Sequence, residues 1–282
     1  MQAKSKTLKA RLAQKPTLVV PDAYDALSAR LIERAGFEAV QCSGYSMAIA
    51  QGYAAETNLS YSENLEATRR IVNAVTVPVM ADGEDGFGDK AKLEQVVREF
   101  IGIGAAGINL EDQVLGRWGV ARAVVDADEM VEKLRVAMQV RQASPNPDFV
   151  LNARTDALAT AADRSAGLEE AVRRANQYLA AGADLAFVTG VRTLEEARFL
   201  KERIDGPLTL ATGLAYNLRE MPVADLVELG LARVSLPTVL VTAVAQAVAD
   251  TLAALRVSGT LDGTAGDQAM AGVATIAGLA AR

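Results

Sequence analysis

The chain has 282 residues, half of them apolar, a formal net charge of −6, no histidine and one cysteine. The acidic balance leaves no basic footprint for nucleic acid or an anionic membrane, and Cys42 alone makes neither an intrachain disulfide nor a cysteine zinc cluster. Without histidine there is no Ser-His-Asp or Cys-His catalysis, so acid–base work falls to carboxylates, Tyr, Lys, Cys, water or a hard cation among oxygen ligands.

The first residues, MQAKSKTLKARLAQKP, are basic but lack the apolar centre of a secretory leader. No run of about 18 apolar residues reads as a membrane span, so a cytoplasmic protein without a membrane partner is expected. Strand-like apolar runs follow at TLVV (17–20), AVQCS (39–43), VPVMA (77–81), GINL (107–110), FVLNA (149–153), LAFV (185–188), PLTLA (207–211) and RVSL (233–236). Helical periods fill the gaps, for example Leu27, Leu31 and Ala35, then Val96, Phe100 and Ile103. A phrase recurs where helix gives way to strand: AGFEAV (35–40), GAAGINL (104–110), AGADLAFV (181–188) and LGLARVSL (229–236). Each sets a glycine at the expected helix C-cap. Eight such units predict an α/β fold of the TIM type, a (β/α)8 barrel over residues 1–256. The rival, a doubly wound open sheet, requires an early G-x-G-x-x-G turn that the sequence lacks. Residues 257–282 read as a Gly- and Ala-rich helical tail.

Catalytic groups of such a barrel hang from the C-terminal ends of its strands. Those ends carry Asp22, then Cys42-Ser43-Gly44-Tyr45, Asp82-Gly83-Glu84-Asp85, Glu111-Asp112-Gln113, and Asn152, Arg154 and Asp156, followed by Thr189, Thr212 and Pro237. Asp82, Glu84 and Glu111 thus converge from adjacent strands as a hard, oxygen-rich site, suited to Mg²⁺ or Mn²⁺. Asp85 and Asp89 are better explained as caps of the next helix. Arg154 has two readings: a two-pronged clamp on a substrate carboxylate, or an internal pair with Asp156 or Glu111. Ser43 and Gly44 offer backbone N–H groups to an anion. Cys42 reads as a small apolar strand residue, since no base stands near it to make a thiolate. Lys90, Lys92, Lys133 and Lys201 fall on helices rather than strand ends, which disfavours Schiff-base chemistry.

The stretches VVPDAYDALSARL (19–31), ADGEDGFG (81–88), NLEDQ (109–113) and NARTDA (152–157) resemble the isocitrate lyase and phosphoenolpyruvate mutase superfamily, in the right order across about residues 16–240. The resemblance implies an α/β barrel in a homo-oligomer, tetramer or dimer, often with the last helix swapped. It also implies Mg²⁺ and an enolpyruvate-like intermediate from a small 2-oxo or 2-hydroxy acid. By position, Asp82 resembles the direct metal ligand, Glu84 and Glu111 the acids that hold the metal's waters, and Arg154 the substrate-carboxylate clamp. Ser43 and Gly44 resemble the backbone anion site, with Tyr45 beside them.

Departures from the family pattern bear on the reaction. The usual D-x-D is D-G-E here, and Trp118 stands where the lyase branch carries a gate Cys. A family Asp falls at Ala55, next to Glu56, and a frequent Glu is Thr189. The expected function is a Mg²⁺-dependent carbon–carbon lyase or decarboxylase on a small 2-oxo or 2-hydroxy diacid. Solvent or Tyr45 would protonate the enolate, and Trp118 would pack over the substrate. The alternatives are carbon–phosphorus hydrolysis of a phosphonopyruvate-type acid, ketopantoate hydroxymethyl transfer, and a barrel that binds ligand without turnover.

Overall fold

Each of the eight apolar runs forms a strand in the computed structural model, which describes residues 2–114, 123–262 and 278. The strands are β1 (Leu18–Ala23), β2 (Val40–Cys42), β3 (Val79–Asp82), β4 (Gly107–Glu111), β7 (Val150–Thr155), β8 (Leu185–Val188), β9 (Leu208–Ala211) and β10 (Arg233–Leu236). They close into one parallel barrel in chain order, with β10 pairing back onto β1 through Leu18↔Arg233 and Val20↔Ser235. The intervening β5 (Gln113–Val114) and β6 (Ala123–Val124) form a separate antiparallel ribbon that the sequence did not signal. The helices are α1 (Gln2–Leu12), α2 (Ala26–Arg34), α3 (Gly44–Ala50), α4 (Tyr61–Ala74), α5 (Lys90–Gly102), α6 (Ala127–Ala143), α7 (Ala157–Thr160), α8 (Arg164–Ala180), α9 (Leu194–Arg203), α10 (Val223–Glu228) and α11 (Val239–Ser258).

The recurring joint has a physical basis. Gly36, Gly104, Gly182 and Gly230 take φ of 89°, 90°, 106° and 74°, the left-handed conformation that ends a helix and turns the chain into the next strand. Continuous apolar strands suit a sheet buried on both faces, and here the outer faces pack under the helices. The barrel's lower interior is filled by Leu18, Val20, Met80, Val150 and Leu185, with Leu8 and Leu12 of α1 closing that end. Higher up, the inward-facing residues turn polar, and that change marks the functional end.

α11 runs past residue 256, the boundary read from the sequence, as far as Ser258. It also corrects the expectation that nothing is long and apolar enough to cross a membrane. By length and composition α11 qualifies, with a hydropathy of 1.5 and 6% of its apolar window buried. Thr242, Gln246, Asp250 and Thr251 interrupt the run, so it does not stand out by eye. Val244, Val248, Leu252 and Leu255 line one exposed face of it.

Candidate active site

β3 delivers Asp82 to the barrel mouth, and the chain then turns at once. Glu84 sits at φ 47° and Gly86 at φ 98°. The turn is fastened to β4 by Gly83 N–H to Asn109 O and by Glu111 N–H to Glu84 O, both 2.9 Å. Gly83 has to be glycine, because a Cβ there would lie 2.5 Å from the Ile108 side chain and 2.7 Å from Asn109 O. As expected, Asp89 caps α5 by accepting from Lys92 N–H at 2.9 Å; Asp85, expected to cap the same helix, instead accepts from Phe87 N–H at 2.9 Å within the turn that precedes it.

Asp82, Glu84 and Glu111 are all buried at this rim. Asp82 Oδ2 accepts the Gly44 N–H at 2.9 Å, while Asp82 Oδ1 has no hydrogen-bond partner among the described residues. The Glu84 carboxylate lies against Gly44 so closely that a Cβ on Gly44 would overlap Glu84 Oε1. The Ser43–Gly44 turn therefore holds the protein's own acids, and Ser43 Oγ caps α3 by accepting from Ser46 N–H. Tyr45 follows on α3 with its ring half exposed.

Arg154 realises the internal pairing. Its Nε and Nη2 donate to Asp156 Oδ2 and Oδ1 at 2.8 and 3.0 Å. Its Nη1 stands 2.6 Å from Glu111 Oε2, a close ion pair rather than an aligned hydrogen bond. These contacts engage three of the roughly five N–H groups an arginine owns. Thr189, where the family often has Glu, donates its hydroxyl to Asp156 Oδ1 at 2.8 Å and so steadies the same carboxylate. Trp118 lies outside the described residues.

Two further groups bear on the site. Arg233 on β10 is fully buried, and among the described residues none of its three nitrogens has a hydrogen-bond partner. Its guanidinium stands 5.7 Å from the centre of the Phe187 ring. Its counter-charges are Asp22 and Asp82, and burial lowers its pKa to about 10. Burial pushes the Asp22 carboxyl up to about 8, with Arg233 opposing the rise. The signal in the sequence was an arginine opening an otherwise apolar strand, RVSL. Glu56 is the second: its charge helps to raise both Glu84 and Glu111.

The electrostatics favour a cation. Burial lifts Asp82, Glu84 and Glu111 above the ordinary carboxylate range; neighbouring acids add to the rise at Glu84 and Glu111, and Arg154 opposes it at all three. Asp22, Asp82, Glu84, Glu111 and Asp156 face only Arg154 and Arg233 as counter-charges among these groups. An unpartnered Asp82 Oδ1 and an excess of buried carboxylate fit a divalent ion. Among the described residues no group of three or more Asp, Glu or Cys side chains is placed to hold a metal ion, so Asp82, Glu84 and Glu111 share the rim without forming the expected three-acid site. Mg²⁺ can bind through one or two carboxylates and keep several waters, and Asp82 is the acid here with an oxygen to spare. Cys42, by contrast, is buried, and burial pushes its thiol up, away from nucleophilic use.

A closed parallel barrel with an acid-rich, oxygen-only site at the C-terminal ends of its strands defines a class of enzymes in which carboxylates do the work of histidine. The phosphoenolpyruvate phosphomutase family model matches residues 8–256, and the chain belongs to that family, within the isocitrate lyase and phosphoenolpyruvate mutase superfamily. It is 35% identical to 2,3-dimethylmalate lyase of Eubacterium barkeri over 249 residues, covering 81% of this chain and 83% of that protein. It is 32% identical to 2-methylisocitrate lyase of Escherichia coli K12 over 213 residues, covering 74% and 69%. Among solved structures, oxaloacetate acetylhydrolase in complex with its product oxalate superposes with a TM-score of 0.87 at 26% identity, over 98% of this chain and 93% of that one. The protein is an enzyme of the carbon–carbon lyase kind.

Proposed function

We propose that the protein is a Mg²⁺-dependent lyase or decarboxylase that breaks a carbon–carbon bond in a small 2-oxo or 2-hydroxy diacid through an enolpyruvate-like intermediate. The observation that carries the reading is the uncompensated group of buried carboxylates beside Arg154. Asp82 would hold the metal directly, and Glu84 and Glu111 would hold its waters. The bound ion would supply a Lewis acid that withdraws charge from the breaking bond. Arg154, kept protonated by Asp156 and Glu111, has N–H capacity left to orient a substrate carboxylate. The Gly44 N–H would pass from Asp82 to a substrate oxygen, and Tyr45 or solvent would supply a proton to the enolate that keeps the electron pair of the broken bond. Relatives named for malate-, citrate- and oxaloacetate-type acids support the substrate class.

We also propose that a second copy of the chain covers the apolar face of α11, giving a homo-oligomer; a sedimentation mass equal to one 29.7 kDa chain would refute this part.

The test of the reaction is a screen of 2-oxo and 2-hydroxy diacids with Mg²⁺, read as pyruvate or glyoxylate released, with EDTA as the control. Turnover that is abolished by EDTA and restored by Mg²⁺ is expected. Full turnover in EDTA would remove the metal from the scheme.

A further inference from the structure

Asp112 follows Glu111 directly, yet it turns away from the mouth toward α8. It is fully buried, and each of its polar atoms has a partner. Its N–H donates to Arg154 O at 3.2 Å, and its carbonyl accepts from Val125 N–H at 2.8 Å. Oδ1 accepts the Asp156 N–H at 2.9 Å. Oδ2 accepts the Tyr178 hydroxyl at 2.7 Å and Arg174 Nη1 at 3.1 Å. Arg174 Nη1 also donates to Val125 O at 2.8 Å, while its Nε is held by Glu170 at 2.7 Å. Burial keeps the Tyr178 phenol protonated, so it acts as a donor to a charged acceptor.

The chain of contacts has a direction. The fork of Arg154 lies on the carboxylate of Asp156, the Asp156 backbone hangs from Asp112, and Asp112 is held from outside the barrel by two side chains of one helix. A guanidinium delivers its two-pronged geometry only if its own anchor is fixed. Asp156 is steadied at its side chain by Thr189 and at its backbone by Asp112. We propose that Tyr178 and Arg174 are positioning residues for Arg154, acting through Asp112 and Asp156. The inference rests on the reading of Arg154 as the residue that receives a substrate carboxylate.

The test is calorimetric titration of the full-length protein with oxalate in saturating Mg²⁺, and with Mg²⁺ alone. Tyr178→Phe keeps the ring and removes one donor to Asp112. Oxalate binding should weaken roughly three- to tenfold, the range of couplings carried by such networks, while affinity for Mg²⁺ alone stays near that of the unaltered protein. In an Arg154→Lys background the same change should add nothing, because the group it positions is gone. Glu170→Gln, near the surface, should give a smaller loss in the same direction, and it serves as the probe should Tyr178→Phe fail to fold. Unchanged oxalate affinity in the variant that folds, or an equal loss in the Arg154→Lys background, would overturn the inference and leave the clamp reading intact. Were the unaltered protein to bind oxalate no better than Arg154→Lys does, the clamp reading would fail first and this inference with it.

Discussion

The backbone N–H of Gly44 donates to Asp82 Oδ2 over 2.9 Å, and the Glu84 carboxylate occupies the space a Gly44 side chain would need. Glycine is required here by close approach. A Gly44→Ala side chain would press on the far end of a flexible Glu84, which can swing aside, so the fold should lose little: about 1 kcal/mol or less. The burden then falls on the site, because Glu84 leaves its position. Mg²⁺ affinity should drop while the melting temperature barely moves, and shortening the acid with Glu84→Asp should restore binding in that background. Calorimetry on the two variants checks both halves, and undiminished Mg²⁺ binding by Gly44→Ala would contradict the assignment of Glu84.

The raised acids predict an unusual pH dependence. Asp22 titrates near 8 in the folded protein, against 3.8 for an ordinary aspartate. An acid raised on folding binds more protons in the native state, so its contribution is complete below the unfolded pKa and is lost as pH rises through the folded one. Asp82, Glu84 and Glu111 shift in the same direction. Glu33 and Glu170 shift the opposite way and lose their contributions only in more acidic solution, so they do not mask the effect at higher pH. Metal-free protein should therefore melt at lower temperature as pH rises from about 5 to about 8. The stabilisation given by Mg²⁺ should grow over the same interval, since ionised acids bind it better. A metal-free melting temperature that climbs with pH across this range would contradict the burial of uncompensated acids.

Arg154 is tied to Asp156 by two parallel hydrogen bonds and to Glu111 by a close ion pair. A lysine carries the charge but not the fork. Arg154→Lys should weaken Mg²⁺–oxalate binding by an amount on the order of 2–5 kcal/mol, the cost of truncating a buried charge pair. Unchanged oxalate affinity in the lysine variant would make the arginine a purely structural partner of Asp156.

The strands and the acid rim were legible in the sequence because both follow local rules: apolar runs of strand length, glycine at four of the helix-to-strand joints, and acids just beyond the strands. Asp82, Glu111 and Arg154 needed nothing more. What escaped depends on contacts between distant parts of the chain. Tyr178 reaches Asp112 across 66 positions, and no periodicity announces it. The contact between Glu84 and Gly44 depends on a left-handed turn at a glutamate, φ 47°, which that residue rarely adopts. Thr189 read as a loss against the family pattern, yet it holds Asp156.

Arg233 was missed for the same reason: its counter-charges come from β1 and β3, far away in sequence. It is fully buried, with no hydrogen-bond partner on any nitrogen among the described residues. With a pKa near 10 it is charged at neutral pH. Removing one member of a buried ion pair usually costs about 3–5 kcal/mol, because the other charge is left uncompensated. Arg233→Met should cost less than that in acid, since Asp22, titrating near 8, is then protonated and needs no counter-ion. Above about pH 8 Asp22 ionises beside Arg233 in the unaltered protein, while in the variant, without that cation, its pKa lies higher still, so the penalty should grow with pH. The loss of stability, measured by urea unfolding, should therefore be larger at pH 8.5 than at pH 5.5, and adding Asp22→Asn should erase most of the difference. Equal losses at the two pH values would mean that Arg233 is held by buried water and packing against Phe187 rather than by Asp22.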